Sequence, residues 1–422
     1  MQIYKFGGAS IKDTAGIKNV ANIIQSYGTQ NLLVVVSAIG KTTDKLQELT
    51  WAHVHGDDKK YHLLEEVKAF HYGIINELFT DHKNPIYNDI ANTFVEVEWL
   101  LEEEAEDSSD YLYDQIVSIG ELVSSKILAA YLNQIGCFTI WQDARNYIKT
   151  DNNYREANVE WDKTTQEIQK HLSAYLAQGI VLTQGFIGAT SENFTSTLGR
   201  EGSDYSAAIF CSALDAESMT IWKDVPGVLN ADPKWFDETE KIPQLSYHDA
   251  IELTYYGATV IHPKTIKPIQ NKSIPLYVRS FLNPLEKGTE ISSSATTLPV
   301  PSFIFKVDQV LLSIFPKDFS FIIEENLSHI FAIFHKNKVK VNTMLNSAIS
   351  FSVSIDDDEV KIEQLISDLS EDYKVKYNKN LELVTIRYYN QQTIDRVTVD
   401  KKVLLEVKSR NTCQMVMKDR IA

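Results

Sequence analysis

A chain of 422 residues, 44% apolar and 23% charged, is long enough for two or three domains with full cores and has the balance of a soluble globular protein. Its 57 acidic against 41 basic side chains, a net charge of -16, argue against a general nucleic-acid or anionic-membrane surface. Three widely spaced cysteines, Cys137, Cys211 and Cys413, suggest neither a disulfide framework nor a zinc site and fit a reducing cytoplasm, and no apolar leader or membrane-length run is expected.

The pattern opens with a short buried strand, Ile3 to Phe6, that stops at Gly7-Gly8. Asp13 then starts a helix with Ile17, Val20, Ile23 and Ile24 at helical spacing. A second strand, Leu32 to Val36, ends at Ser37-Ala38 and the polar run Gly40-Lys41-Thr42-Thr43-Asp44. Strand, glycine turn, helix, twice over, implies an α/β domain on a parallel sheet, in which ligands gather at the carboxyl ends of the strands.

Residues 45–115 read as a helical insertion broken at Asp57-Asp58 and Asn84-Pro85. Its acidic run, Glu102 to Glu106, reads as a solvated helix face because it lacks an ordered ligand spacing. Ser118-Ile119-Gly120-Glu121 leads into a helix, Leu122 to Leu132, then a strand, Phe138 to Trp141, a helix, Thr164 to Ala177, and a strand, Ile180 to Thr183. Gly185-Phe186-Ile187-Gly188-Ala189 connects by a polar loop to the stretch Ser196 to Ala208.

That stretch is a glycine-hinged loop running into an apolar helix. Gly199 and Gly202 let the backbone close around a ligand, and Asp204 or Ser203 caps the helix, so amide donors and the helix dipole face an anion. Arg200 offers a fork to a carboxylate, and Asp204 a carboxylate for lysines or a metal. A strand, Ser218 to Trp222, then ends in the run Lys223 to Lys234, a helix around Tyr247 to Tyr255 stops at Gly257-Ala258, and a strand, Pro275 to Arg279, closes the unit. Glu286 to Pro301, rich in Ser, Thr and Pro, reads as a linker. Beyond it, strands at 303–307, 310–315, 347–355, 381–388, 403–407 and 413–417 with helices at 327–335 and 360–369 suggest small α+β modules on an antiparallel sheet.

Lys5-Phe6-Gly7-Gly8-Ala9-Ser10, Val35-Val36-Ser37-Ala38, Gly120-Glu121, Gly185-Phe186-Ile187-Gly188, Gly199 to Tyr205, and Asp224-Val225-Pro226-Gly227 with Asp232-Pro233 occur in the order found in aspartate kinases. The chain thus resembles that family over residues 1–290, and residues 299–422 resemble its paired ACT regulatory modules. The resemblance implies an amino-acid kinase fold, an α/β/α sandwich with a mainly parallel sheet, followed by an α+β ACT-like regulatory domain. It implies phosphoryl transfer from ATP, with Mg2+, to L-aspartate, giving 4-phospho-L-aspartate, the first step of lysine, threonine and methionine biosynthesis.

A side-chain carboxylate is ionised at neutral pH, so this chemistry needs no general base; it needs in-line positioning and cancellation of phosphoryl charge. By residue matching, Lys5 contacts the transferring phosphoryl group, Gly7 and Gly8 bring amides to it, and Ser37 adds a hydroxyl or amide. Asp204 holds the active-site lysine. Aspartate itself is met by Arg200 and Thr43 at a carboxylate and by Glu121 at the ammonium, with Ser203 beside them. The nucleotide falls to Lys223, Asp224, Leu229, Lys234, Thr259 and Val260, several of which depart from the commoner family pattern; Lys234, where arginine is frequent, loses a bidentate fork. Glu201 adds negative charge near the site, and no metal-ligand set is assigned.

In the tail, Asn342 and Ser347 fall on the segment that binds lysine in lysine-sensitive members, but Asn342 and Ala348 stand where an acid is frequent. Threonine, another effector or a structural contact in a homodimer or higher homo-oligomer stay open. The second module leaves room between Tyr389 and Val403 for about two helical turns. Two other readings compete: an amino-acid kinase acting on another acidic amino acid such as glutamate, and a catalytically silent amino-acid sensor. A P-loop NTPase is disfavoured, since no Gly-x-x-x-x-Gly-Lys-Ser/Thr run occurs.

Overall fold

A computed structural model describes the chain except residues 29, 106, 237, 259–260, 294–299, 319 and 421–422. In chain order its elements are β1 (Gln2–Phe6), α1 (Thr14–Tyr27), β2 (Leu32–Val36), α2 (Thr42–Val54), α3 (Lys59–Leu78), α4 (Ile86–Glu102), α5 (Ser109–Val117), α6 (Ile119–Gln134), β3 (Thr139–Trp141), α7 (Trp161–Leu176), β4 (Ile180–Gln184), β5 (Ile187–Ala189), β6 (Thr195–Thr197), α8 (Gly202–Ala213), β7 (Ser218–Lys223), β8 (Gln244–Ser246), α9 (Tyr247–Tyr256), α10 (Pro263–Asn271), β9 (Leu276–Ser280) and β10 (Thr289–Ser292). There follow β11 (Ser302–Pro316), α11 (Glu324–Lys336), β12 (Val341–Asn346), β13 (Phe351–Asp356), α12 (Glu359–Ser370), β14 (Tyr373–Arg387), α13 (Gln391–Thr398), β15 (Lys401–Lys408) and β16 (Thr412–Asp419).

Two compact units divide the chain: Met1–Val228, Pro243–Ile251 and Val260–Thr297 form one, and Leu229–Ile242, Glu252–Thr259 and Leu298–Ala422 the other. The stretches 229–242 and 252–259, expected within the first domain, therefore pack with the second unit.

The first unit is built on an eight-stranded sheet in the order β3-β4-β2-β1-β7-β9-β10-β8, parallel except where β10 meets β9. The five residues of β2, Leu-Leu-Val-Val-Val, are all buried, the run expected of a strand covered on both faces. β1 lies between β2 and β7, and β2 between β1 and β4, all parallel, so the carboxyl ends of β1, β2, β4 and β7 point to one side of the sheet. Asp13 accepts the Gly16 amide at 2.7 Å and caps α1.

Several local expectations change. Thr289–Ser292, read within a linker, is a strand of this sheet, with Thr289 and Ile291 buried on one face and Ser292 bonding Glu290 on the other. The polar loop expected between Ala189 and Ser196 is the turn of the β5–β6 hairpin, whose two strands were not expected. α4 ends at Glu102, so the acidic run follows a helix rather than forming its face, and Glu106 lies outside the described residues. Ser109–Gln134 is apolar and long enough to cross a membrane, but 78% of its most apolar window is buried, as in a core helix.

The second unit carries a six-stranded antiparallel sheet in the order β12-β13-β11-β14-β16-β15. The two strands expected at 303–307 and 310–315 are one 15-residue strand, β11, kept continuous through an irregularity between Lys306 and Gln309 where Asp308 takes φ +54°. The strand expected at 347–355 starts only at Phe351, as β13; Ser347–Ser350 form the turn of a hairpin whose other arm, β12, was not expected. Val310, Leu312 and Ile314 pack against Ile330, Phe334, Leu365 and Leu369 of α11 and α12, while Val384 and Ile386 pack with Ile394 and Val397 of α13, the two-turn helix between Tyr389 and Val403.

Candidate active site

The site forms where chain turns leave the shared edge of the parallel sheet. Ser37 N donates to Phe6 O at 3.1 Å, Gly40 N to Gly8 O at 3.2 Å and Gly185 N to Val36 O at 2.8 Å, which ties the three turns into one surface. Gly8 is required by this approach: a Cβ there would stand 2.7 Å from Gly40 O and 2.8 Å from Ala38 O. At Gly7 a Cβ would come 3.3 Å from Lys5 Nζ, so the glycine leaves room for that ammonium.

Lys5, on the central strand, reaches Asp204 with Nζ 2.6 Å from Oδ1, and both side chains are nearly sealed from solvent, at 11% and 6% exposure. Asp204 sits in the first turn of α8, but neither it nor Ser203 caps the helix: the N-cap is Glu201, held at φ +55°. The Glu201 carboxylate instead accepts the His262 amide at 2.9 Å, so its charge is spent on the start of α10 and the strained turn is held from outside the loop. Asp204 is thereby freed to meet Lys5.

Around this pair lies a cavity of about 710 Å3, within the range of small-molecule sites. Lys5, Gly7, Gly8, Ser37, Thr43, Glu121, Arg200, Ser203, Asp204, Lys223 and Asp224 all line it. Glu121 is buried at the start of α6; its Oε1 accepts the Ala38 amide at 3.3 Å, and its Oε2 has no hydrogen-bond partner among the described residues. Burial pushes its carboxyl up to about 8, against the pull of the Ala38 amide and Lys5. A cation brought to Oε2 would restore its charge.

Not every expected residue joins them. Leu229 and Lys234 are not among the lining residues; their segment belongs to the second unit, where Leu229 bridges Lys241, Ala231 and Phe236 enter a core with Phe303, and Lys234 N bonds Asp232 in an exposed turn. Thr259 and Val260 lie outside the described residues. In the second unit Asn342 is buried and fully engaged, accepting from Lys306 at 2.8 Å and donating to Gln309 and Asp356 at 2.9 and 2.8 Å. Ser347 bonds Ser350 across the hairpin turn.

The lining also includes residues that the sequence did not single out: Lys41, Asp44, Tyr113, Arg155, Glu156, Trp222 and Phe281. Trp222 stacks on Phe6 at 5.9 Å, fixing the floor between β1 and β7. Arg155 and Glu156 are carried by a loop anchored on the buried Asp114, whose carboxyl burial pushes up to about 6 despite bonds from Thr197 and Arg155. Position along the chain offers no signal for them; only the fold brings the segments near 113, 155 and 199 together.

Among the described residues no group of three or more His, Cys, Asp or Glu is arranged to hold a metal by itself. The carboxylates that line the cavity, Asp204 and Asp224 among them, are hard oxygen donors suited to sharing a magnesium ion with a phosphate chain, which keeps most of its ligands as water and phosphate oxygen.

A sequence model of the amino acid kinase family matches residues 1–280. Lysine-sensitive aspartokinase 3 of Escherichia coli (strain K12) is 28% identical over 392 residues, spanning 91% of this chain and 86% of that one. Bifunctional aspartokinase/homoserine dehydrogenase 1, chloroplastic, of Zea mays is 33% identical over 297 residues, and the chain spans only 32% of that larger protein. Among solved structures, E. coli aspartokinase III in complex with aspartate and ADP aligns with TM-score 0.83 at 25% identity, covering 99% of this chain and 96% of that chain. The same enzyme in complex with lysine and aspartate aligns with TM-score 0.83 at 26% identity, covering 99% and 95%.

Proposed function

The chain belongs to the amino acid kinase family, and from that premise we propose that it is an aspartate kinase, transferring the γ-phosphoryl group of ATP to the side-chain carboxylate of L-aspartate. The observation that carries this reading is the Lys5–Asp204 pair at 2.6 Å, set among the Gly7, Gly8 and Ser37 turns on the wall of one cavity. Similarity to E. coli aspartokinase III, solved with aspartate and ADP, supports the choice of acceptor and nucleotide.

In this mechanism an ionised carboxylate oxygen of aspartate attacks the γ-phosphorus in line as the bond to the ADP oxygen breaks. No proton has to be removed from the nucleophile. Lys5 offsets the charge that spreads over the phosphoryl oxygens, and Asp204 fixes the ammonium where that charge develops. The amides of Gly7 and Gly8 and the hydroxyl of Ser37 donate to phosphoryl oxygens, the Ser37 amide being held by Phe6 O. Glu121 takes the substrate ammonium, which supplies the missing partner of Oε2. Arg200 and Thr43 bind a carboxylate, with Ser203 packed beside them at the start of α8. Lys223 and Asp224 lie on the nucleotide side. Asp204 and Asp224, both on the cavity wall, would help hold Mg2+, which would supply neutralising charge to the phosphate chain.

The second unit is proposed as a regulatory module for an amino-acid effector, in a homodimer or higher homo-oligomer. A cytoplasmic location is supported by three buried free cysteines. The test of the activity is to trap the acyl phosphate with hydroxylamine in the presence of Mg·ATP. Hydroxamate from L-aspartate and little from L-glutamate supports the reading; none from aspartate, or more from glutamate, overturns it.

A further inference from the structure

One residue of the cavity wall is held there at a cost that packing alone does not explain. Arg155 takes φ +67°, a left-handed backbone that suits glycine and strains an arginine. The strain is held by a buried carboxylate. Asp114, wholly inside the first unit on α5, accepts the Arg155 amide on both oxygens at 3.1 and 3.0 Å, and accepts the amide and hydroxyl of Thr197 at 2.8 and 2.7 Å. A carboxyl group engaged in this way fixes a loop.

What the loop presents is a guanidinium. Its carbon lies 4.3 Å from the Tyr113 ring centroid, over the ring, and Nη1 lies 3.3 Å from Asp110 on the half-exposed side. Exposed pairs of this kind are weak, so Asp110 does not commit the group. The Arg155 carbonyl stands 3.3 Å from where a Cβ on Gly199 would be, so the Arg155 backbone lies against the turn that carries Arg200.

We infer that Arg155 is a second arm of a clamp on the non-reacting carboxylate of the acidic amino acid, with Asp114 as its positioning residue. The inference rests on the reading of L-aspartate as acceptor and deepens it. One carboxylate of that substrate must face phosphorus near Lys5; the other is free to report the substrate's length and charge. One planar fork can pair with both oxygens of that group, and a second fork from a touching backbone can take their remaining lone pairs, steadying a carboxylate that Arg200 alone meets from an exposed turn.

Arg155→Gly tests this directly, because it removes the guanidinium at a position whose backbone glycine adopts without strain. Thermal unfolding should stay unchanged or move up. The KM for L-aspartate should rise about tenfold with the KM for ATP unmoved, on the scale of losing one charge-assisted interaction. The preference for L-aspartate over its α-carboxamide analogue, in which that carboxylate is replaced by a neutral amide, should shrink by a similar factor. Arg155→Lys should recover part of the affinity, and Asp114→Asn should raise the aspartate KM with Arg155 still present. An unchanged KM in Arg155→Gly, or a loss equal for aspartate and the amide, overturns the clamp. Wild-type protein that phosphorylates neither compound overturns the acceptor reading itself, so the two failures are distinct.

Discussion

Lys5 on the central strand and Asp204 in the first turn of α8 meet at 2.6 Å with almost no solvent between them and the surrounding chain. An ammonium fixed in this way has lost its freedom before any phosphate arrives, which is the condition under which one charge contributes most to a transition state. Lys5→Ala should therefore cut turnover by ~10² or more while the circular dichroism spectrum is unchanged. Asp204→Asn should act through the same ammonium, and the double variant should lose little beyond the worse single one. Turnover within about twofold of wild type in Lys5→Ala removes that residue from the mechanism.

Glu121 gives a pH signature. A carboxyl whose proton is held more tightly in the folded chain adds stability at low pH, and that contribution is lost as pH rises from the ordinary carboxylate range toward about 8. Ligand-free wild-type protein should lose thermal stability over that interval more steeply than Glu121→Gln. Aspartate, by bringing an ammonium to Oε2, should release a proton on binding near neutral pH, measured by calorimetry in buffers of different ionisation enthalpy. Identical pH slopes in the two proteins would contradict the assignment.

Gly8 and Gly73 make a matched pair. At Gly8 an added methyl meets two backbone carbonyls that cannot step aside, whereas at Gly73, inside α3, it meets nothing within 4 Å. Gly8→Ala should part the turns after β1 and β2, lowering stability by ~1–3 kcal/mol and turnover with it. Gly73→Ala should stabilise by ~0.5–1 kcal/mol with kinetics unchanged. Denaturant midpoints and steady-state rates read both.

In the second unit the Asn342 amide already bonds Lys306, Gln309 and Asp356, so it has little left for a ligand. Millimolar lysine alone should inhibit weakly, and a steep, saturable response would contradict this. Asn342→Ala should cost ~1–3 kcal/mol by leaving buried polar partners unpaired, seen as a lower denaturant midpoint.

The part of the cavity wall made by Lys5, Gly7, Gly8, Ser37 and Asp204 is legible because it is local: β1 with Gly7-Gly8, β2 with Ser37, and the turn before α8 each carry their own residues in one short run. Asp204, expected as a helix cap, is not one, because Glu201 takes the cap by adopting φ +55°, which pattern does not disclose. The residues that close the rest of the cavity, Tyr113, Arg155 and Trp222, come from elements whose nearness depends on sheet order. Short or polar strands escaped for a related reason. β5 and β6 have three residues each, too few for a period, and β12 reads Val-Asn-Thr-Met-Leu-Asn, with one face given to the Asn342 network. Ser and Thr in β10 imitated a linker because side chains alone do not reveal a strand's place in a sheet.

The central claim is that the side-chain carboxylate of aspartate is itself the nucleophile at the γ-phosphorus. L-Aspartate labelled with 18O in both side-chain carboxylate oxygens, incubated with the protein and Mg·ATP and then quenched with hydroxylamine, tests it most directly, because hydroxylamine attacks the carbonyl carbon and expels phosphate with its bridging oxygen. The account predicts a single 18O in each phosphate released with the hydroxamate. Unlabelled phosphate, or no hydroxamate, would contradict it.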